Sequence, residues 1–179
     1  WVSGCKPSDS TVTALVDLIE TVAGSRPSTL FGNEIPRERW ATAGPISSRT
    51  LVEENVTLTD NGGLLVYLLW VPQIFMSENP YGATECRLVR RGSQSNVVWF
   101  LQLSSGAIHN AGVPGLPTSE IERVTVIHEF GHALGLVPDR SHAQRGNMYH
   151  CRGASCVMAG PTRKLMVANG LRAIFRGTL

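Results

Sequence analysis

The sequence predicts an α+β domain, and three observations predict it. Apolar residues recur at helical spacing near the N-terminus, two runs of β-branched and aromatic residues fill the middle of the chain, and a second helical run follows near residue 120. With 179 residues, 42% of them hydrophobic, the chain can bury one sizeable core, so a single domain spanning 1–179 is expected.

The elements follow in order. Val12, Leu15, Val16, Ile19, Val22 and Ala23 mark a helix, with Ser8, Asp9 or Ser10 available as its cap and Gly24 as its stop. From Gly24 to Pro45 the chain is rich in Gly and Pro and reads as a long irregular connection. Strands are expected at Val56–Leu58, Leu64–Val71, Arg87–Arg90 and Val97–Leu103. Ser104 to Thr118 reads as another loop. Ser119 and Glu122 then have capping-box spacing ahead of a helix from about Glu120 to Leu136. A last helical pattern runs from Arg163 to Phe175, weakened by Asn169-Gly170.

Composition removes some function classes. The formal charge is +2, and no Lys/Arg run is dense enough for nucleic acid or an anionic membrane. The longest apolar run, Leu64 to Val71, is too short for a bilayer and reads as a buried strand, so no transmembrane segment is expected. The chain opens on Trp1 rather than Met, which reads as a processed or trimmed form. Cys5, Cys86, Cys151 and Cys156 form an even set that suits two disulfides in a secreted or cell-envelope protein; four thiols in a cytoplasmic one are the alternative. Val2-Ser3-Gly4-Cys5 is similar to the cleavage box of bacterial lipoproteins, which would make Cys5 a lipid anchor.

The chemistry lies in His128-Glu129-Phe130-Gly131-His132. Residues four apart sit one turn above each other on a helix, so both imidazoles can reach one tetrahedral zinc ion. Glu129 projects about 100° round the helix from His128, where its carboxylate can act as a base on water without becoming a ligand. A solvated polar face is the bland alternative. Val124, Val126 and Ile127 precede the trio and Ala133, Leu134 and Leu136 follow it, so a polar group buried there needs a reason, and a metal supplies one.

Gly135 lies three residues beyond His132, where the metzincin peptidases, which this motif resembles, use a glycine to turn the chain out of the helix. Their third histidine lies six residues past the second, and here that position is Pro138, which has no donor atom. Asp139, His142 and His150 are the nearby candidates. His150-Cys151-Arg152-Gly153-Ala154-Ser155-Cys156-Val157-Met158 resembles the archaemetzincins, whose motif ends in HC, four residues, then CxM. Aligned on that string, His150 becomes the third ligand, with about a dozen residues inserted between Val137 and Tyr149 at little closure cost. Asp139 and His142 stay as alternatives.

The resemblance covers His128 to Met158. It implies that Met158 is the Met-turn residue beneath the ligands, where the plain alternative is a core methionine. Tyr149 is a possible oxyanion stabiliser, and His109 reads as a surface residue. The family's second zinc sits on four cysteines, of which only Cys151 and Cys156 have counterparts, so one catalytic Zn2+ is expected. Cys151–Cys156 then suits a small disulfide bracing His150, with Cys5–Cys86 as the other. A rival role for Cys5 is to hold the zinc in a latent form.

The resemblance further implies a zincin fold: a mixed twisted sheet with two long helices in an upper lobe (1–135), a small lower lobe (136–179) and a cleft between. Val97–Leu103 is the candidate cleft-lining edge strand, for a peptide to join by β-augmentation, against the alternative of a central strand. The expected function is a zinc-dependent endopeptidase acting on peptide or protein substrates. A zincin-fold binding or structural protein and a zinc hydrolase of a non-peptide amide are the alternatives.

Overall fold

Periodicity and capping fix where the helices start and stop. The computed structural model describes residues 1–24, 32–41, 50, 53–54, 56–57, 65–74, 81–112, 115–135, 143–144, 147–151 and 158, with the backbone alone for 143, 144 and 147–149. Helix α1 spans Asp9–Ala23. Of the three possible caps it is Ser8 that serves, its hydroxyl accepting the Thr11 N–H, and Gly24 ends the helix with its N–H on the Glu20 carbonyl. Thr11, Leu15 and Val16 form its buried face, while Val22 at the far end is 55% exposed.

Three strands build a mixed sheet: β1 (Leu65–Val71), β2 (Gly82–Arg91) and β3 (Gln94–Ser104), in the order β1-β3-β2. β3 runs parallel to β1 and antiparallel to β2. The β2–β3 hairpin turns on Gly92 and Ser93, and Gly92 takes φ +59°, the left-handed value that a glycine-first two-residue hairpin turn uses. Only Arg87–Arg90, in the second half of β2, was expected from the sequence, because the first half, Gly82-Ala83-Thr84-Glu85, carries no large apolar residue.

Two expectations for this sheet are corrected. Val97–Leu103 is no edge strand: it lies inside β3, hydrogen-bonded on both sides. Burial explains why. Val98 and Phe100 pack with Val56 on one face, joined by Leu65, Tyr67 and Val89, while Leu101 and Leu103 are fully buried on the other. Val56 contributes to this core without forming a strand, and Leu58 lies outside the described residues. Beyond β1, Val2 donates its N–H to the Trp70 carbonyl at 2.9 Å and bridges Ile35 in parallel.

The loop expected over Ser104 to Thr118 holds a short helix, α2 (Ser105–His109), on which Ile108 is buried and His109 is exposed. Helix α3 spans Thr118–Ala133 and packs against α1. Two short strands, β4 (Ala143–Gln144) and β5 (Asn147–Cys151), pair antiparallel; β4 lies in the stretch read as an insertion, and β5 runs from it through His150 to Cys151. The pattern at 163–175 lies outside the described residues.

The chain divides into two compact units, Trp1–Lys6 with Phe31–Ala107, and Pro7–Leu30 with Ile108–Leu179. The first holds the sheet; the second holds α1, α3, β4 and β5. This division does not follow the lobe boundary expected at Gly135. No described helix is long and apolar enough to cross a membrane.

Removing volume from the sheet core should be costly. Leu101→Ala, at a position 0% exposed, is expected to lower stability by about 2–5 kcal/mol in urea unfolding, whereas Leu88→Ala, at 53% exposure, should stay within about 0.5 kcal/mol. Equal losses at the two positions would contradict this placement of the core.

Candidate metal centre

Helix α3 carries the His-Glu-Phe-Gly-His string in its last turns. It begins earlier than the capping box suggests: Pro117 occupies the N-cap position with no side-chain cap, and its carbonyl accepts the N–H groups of Glu120 and Ile121. Glu122 does not serve its own helix. One of its carboxylate oxygens accepts the Ser8 N–H at 3.0 Å, the Ser8 hydroxyl at 2.7 Å and the Thr11 hydroxyl at 2.7 Å. Those donors lie at the start of α1, where a carboxylate also meets the positive end of the helix dipole. Nothing local in the sequence announces this pairing across more than a hundred residues.

α3 stops at Ala133, three residues short of the expected end. Leu134 and Gly135 close it through N–H bonds to the Phe130 and His132 carbonyls, and Gly135 takes φ +67°. A Cβ there would touch nothing within 4 Å, so the glycine serves backbone conformation rather than space.

The turn spacing brings His128 and His132 together with their Nε2 atoms 3.2 Å apart. Two nitrogens bound at about 2.0–2.1 Å to one tetrahedral zinc lie about 3.3 Å apart, so this separation fits a shared ion. His150 completes the set from β5. The three ring centroids stand 4.8, 5.2 and 5.0 Å apart, close to the roughly 5 Å that three imidazoles on one tetrahedral ion adopt. Each histidine offers a nitrogen within 4.8 Å of the others, so the group could hold a metal ion. The Nδ1 of His150 is buried without a hydrogen-bond partner among the described residues. Such a cluster leaves nitrogen atoms in need of a cation or a donor.

Its electrostatics favour the ligating form. Burial pushes the His132 imidazole down to about 3, helped by His128 and His150, and burial with His128 beside it pushes His150 down to about 4. Both rings are therefore neutral at pH 7, with a lone pair for a metal. His128 is buried, and Glu129, the next residue on α3, is only 2% exposed.

The third-ligand candidates separate here. His150 joins the cluster, whereas Asp139 and His142 lie outside the described residues, as does the side chain of Tyr149. Met158 is 2% exposed, and its carbonyl accepts the Cys151 N–H at 2.7 Å, which ties it to the residue after His150.

The expected Cys5–Cys86 pairing is corrected. Cys5 and Cys86 are both thiols. Cys86 lies opposite Trp99 on β3, while the Cys5 carbonyl is bonded by Ser105 beyond the end of that strand. Five strand residues separate the two levels, about 17 Å, far beyond disulfide reach. The Cys151–Cys156 pairing lies outside the described residues with Cys156; the Cys151 N–H bonds to the Met158 carbonyl. Strand alternation also points Cys151 to the opposite face of β5 from His150. Cys5 is 5% exposed and belongs to the core.

Comparison with family models, with curated proteins and with solved structures finds no match to this chain.

The lowered imidazoles set a pH dependence. In the unfolded chain these rings take up protons below about 6.5, but in the folded, metal-free protein only near 4 and 3, so the unfolded state binds more protons across that window. Stability present above pH 6.5 is thus lost as pH falls through about 4 and about 3. Urea midpoints of the metal-free protein should fall on acidification over this range, and His132→Gln or His150→Gln should flatten the slope. An unchanged slope in both variants would contradict burial of neutral rings.

Proposed function

We propose that this chain is a zinc-dependent endopeptidase of metzincin type, with His128, His132 and His150 as metal ligands and Glu129 as the catalytic base. The observation that carries the reading is the convergence of three imidazoles, those of His132 and His150 neutral at pH 7, with a buried carboxylate one residue along from His128 on the same helix. An all-nitrogen set suits zinc, and three protein ligands leave a fourth position for a reactant, as in catalytic rather than structural zinc sites.

Zinc held there would act as a Lewis acid, polarising a peptide carbonyl and making a water more acidic. The remaining work falls to the protein. His128 and His132 present adjacent nitrogens because they lie one turn apart, and His150 closes the triangle from a separate element. The Glu129 carboxylate, about 100° round the helix from His128, takes the proton of the attacking water and passes it to the departing amine. Its burial keeps bulk water from competing for that proton. Met158, buried and tied to Cys151, takes the part of an apolar floor.

Two variants test separate parts. Glu129→Gln should keep zinc and lose about 10²–10⁴-fold in kcat/KM on a mixed peptide library, because it removes the base and leaves the ligands. Cleavage at wild-type rate by the zinc-loaded variant would end this mechanism. A wild-type protein that binds zinc and leaves every peptide intact would favour a binding protein or a hydrolase of non-peptide amides.

His150→Ala should weaken zinc binding by about 100-fold or more, since two imidazoles hold only half a tetrahedron. Asp139→Ala and His142→Ala should bind zinc like the wild type. If Asp139→Ala loses the metal while His150→Ala retains it, the ligand set is wrong.

A further inference from the structure

The active-site helix is buried on nearly every side. From Ile121 to Ala133 only Arg123 and His132 are more than marginally exposed. A helix with one apolar stripe is fixed about its own axis by that stripe, since rotation would expose it. α3 has no such stripe: its buried set includes Ile121, Val124, Val126 and Phe130 on different sides, together with Glu122, Thr125, His128 and Glu129. Burial of apolar area therefore holds α3 in place without choosing its rotation. A metal site needs that choice, because a small turn of the helix moves the imidazole nitrogens out of a shared sphere.

A directional contact that α3 makes with α1 lies at Glu122. Its Oε2 receives three hydrogen bonds from the first turn of α1, two from Ser8 and one from Thr11. Glu122 is 7% exposed and Thr11 is 0% exposed, so these bonds lie where a charged oxygen left without donors is costly. The Ser8 and Thr11 hydroxyls are themselves 2.8 Å apart, and Ser8 caps α1, so the donors are held in place before they meet the carboxylate. Seven residues separate Glu122 from Glu129, two helical turns, which puts both on one stripe of α3 with His128 about 100° away.

We infer that Glu122, gripped by Ser8 and Thr11, is a positioning residue that sets the rotation of α3 and so aims His128, His132 and Glu129. The inference rests on the metal-centre reading for what α3 carries, but the clamp itself is a matter of protein contacts alone. It acts through the helix, touching neither metal nor substrate.

Three variants test it: Thr11→Val, which keeps shape and removes the hydroxyl donor; Glu122→Gln, which keeps shape and removes the charge; and Thr11→Ser, which restores the donor. Two readouts are taken well below each Tm: the histidine ring signals of the metal-free protein by long-range proton–nitrogen NMR, and Co2+ affinity with its visible absorption. Thr11→Val and Glu122→Gln should shift the His128 and His132 ring signals while leaving exposed His109 unmoved. They should also weaken Co2+ binding about 10-fold or more with an altered spectrum, as loss of a group that orients ligands typically does. Thr11→Ser should match the wild type in both. If Thr11→Val and Glu122→Gln lower Tm yet keep wild-type ring signals and Co2+ affinity, Glu122 is structural only and the inference is overturned. A Thr11→Ser variant that shifts as far as Thr11→Val would overturn it too, by assigning the effect to the methyl group. Should Glu122→Gln fail to fold, Thr11→Val decides. A wild type that takes up no Co2+ would sink the metal-centre reading, and the ring signals would still decide the clamp.

Discussion

Three imidazoles that face one another, one buried and two half-buried, bring together nitrogen atoms that a single cation can share. That constraint governs the second unit of this protein. Two rings come from one face of α3, one turn apart, and the third from β5, so helix and hairpin have to meet at a fixed geometry. Burial lowers the basicity of His132 and His150, which makes protonation a poor answer near neutral pH and a metal a good one. Gly135 releases the chain from the helix three residues after His132, and the Cys151–Met158 bond fastens the chain directly after His150.

The surrounding structure follows from keeping that geometry. α3 is buried nearly all round, and its polar residues carry directional contacts that apolar packing lacks. The carboxylates at Glu122 and Glu129 show how burial and role separate on one stripe. The first is satisfied by three donors from α1, which suits an anchor; the second is the group read as the base. The sheet is organised around a different constraint, the burial of β3 on both faces.

Much of this was legible in the sequence because the signals are local. The four-residue spacing of His128 and His132 reads directly as one helical face, the Ser8 cap and Gly24 stop lie beside the helix they bound, and Leu64–Val71 is apolar enough to announce β1 to within a residue. His150 was set ahead of Asp139 and His142 as a ligand candidate only through the family resemblance. What escaped depends on distant partners. Glu122 looks like a capping-box residue until α1 folds against it, the first half of β2 has too few large apolar residues to read as strand, and the central position of β3 is decided by which strands pair with it. The Cys5–Cys86 pairing failed for the same reason: an even count says nothing of the strand length that separates the two.

The central claim is that His128, His132 and His150 together hold one zinc ion. Zinc K-edge X-ray absorption fine structure on the zinc-loaded protein tests it most directly. The prediction is a first shell of three imidazole nitrogens and one further light atom at about 2.0–2.1 Å, with no sulfur. A sulfur neighbour at about 2.3 Å, which would bring Cys151 or another thiol into the site, or a shell with only two imidazoles, would contradict the account.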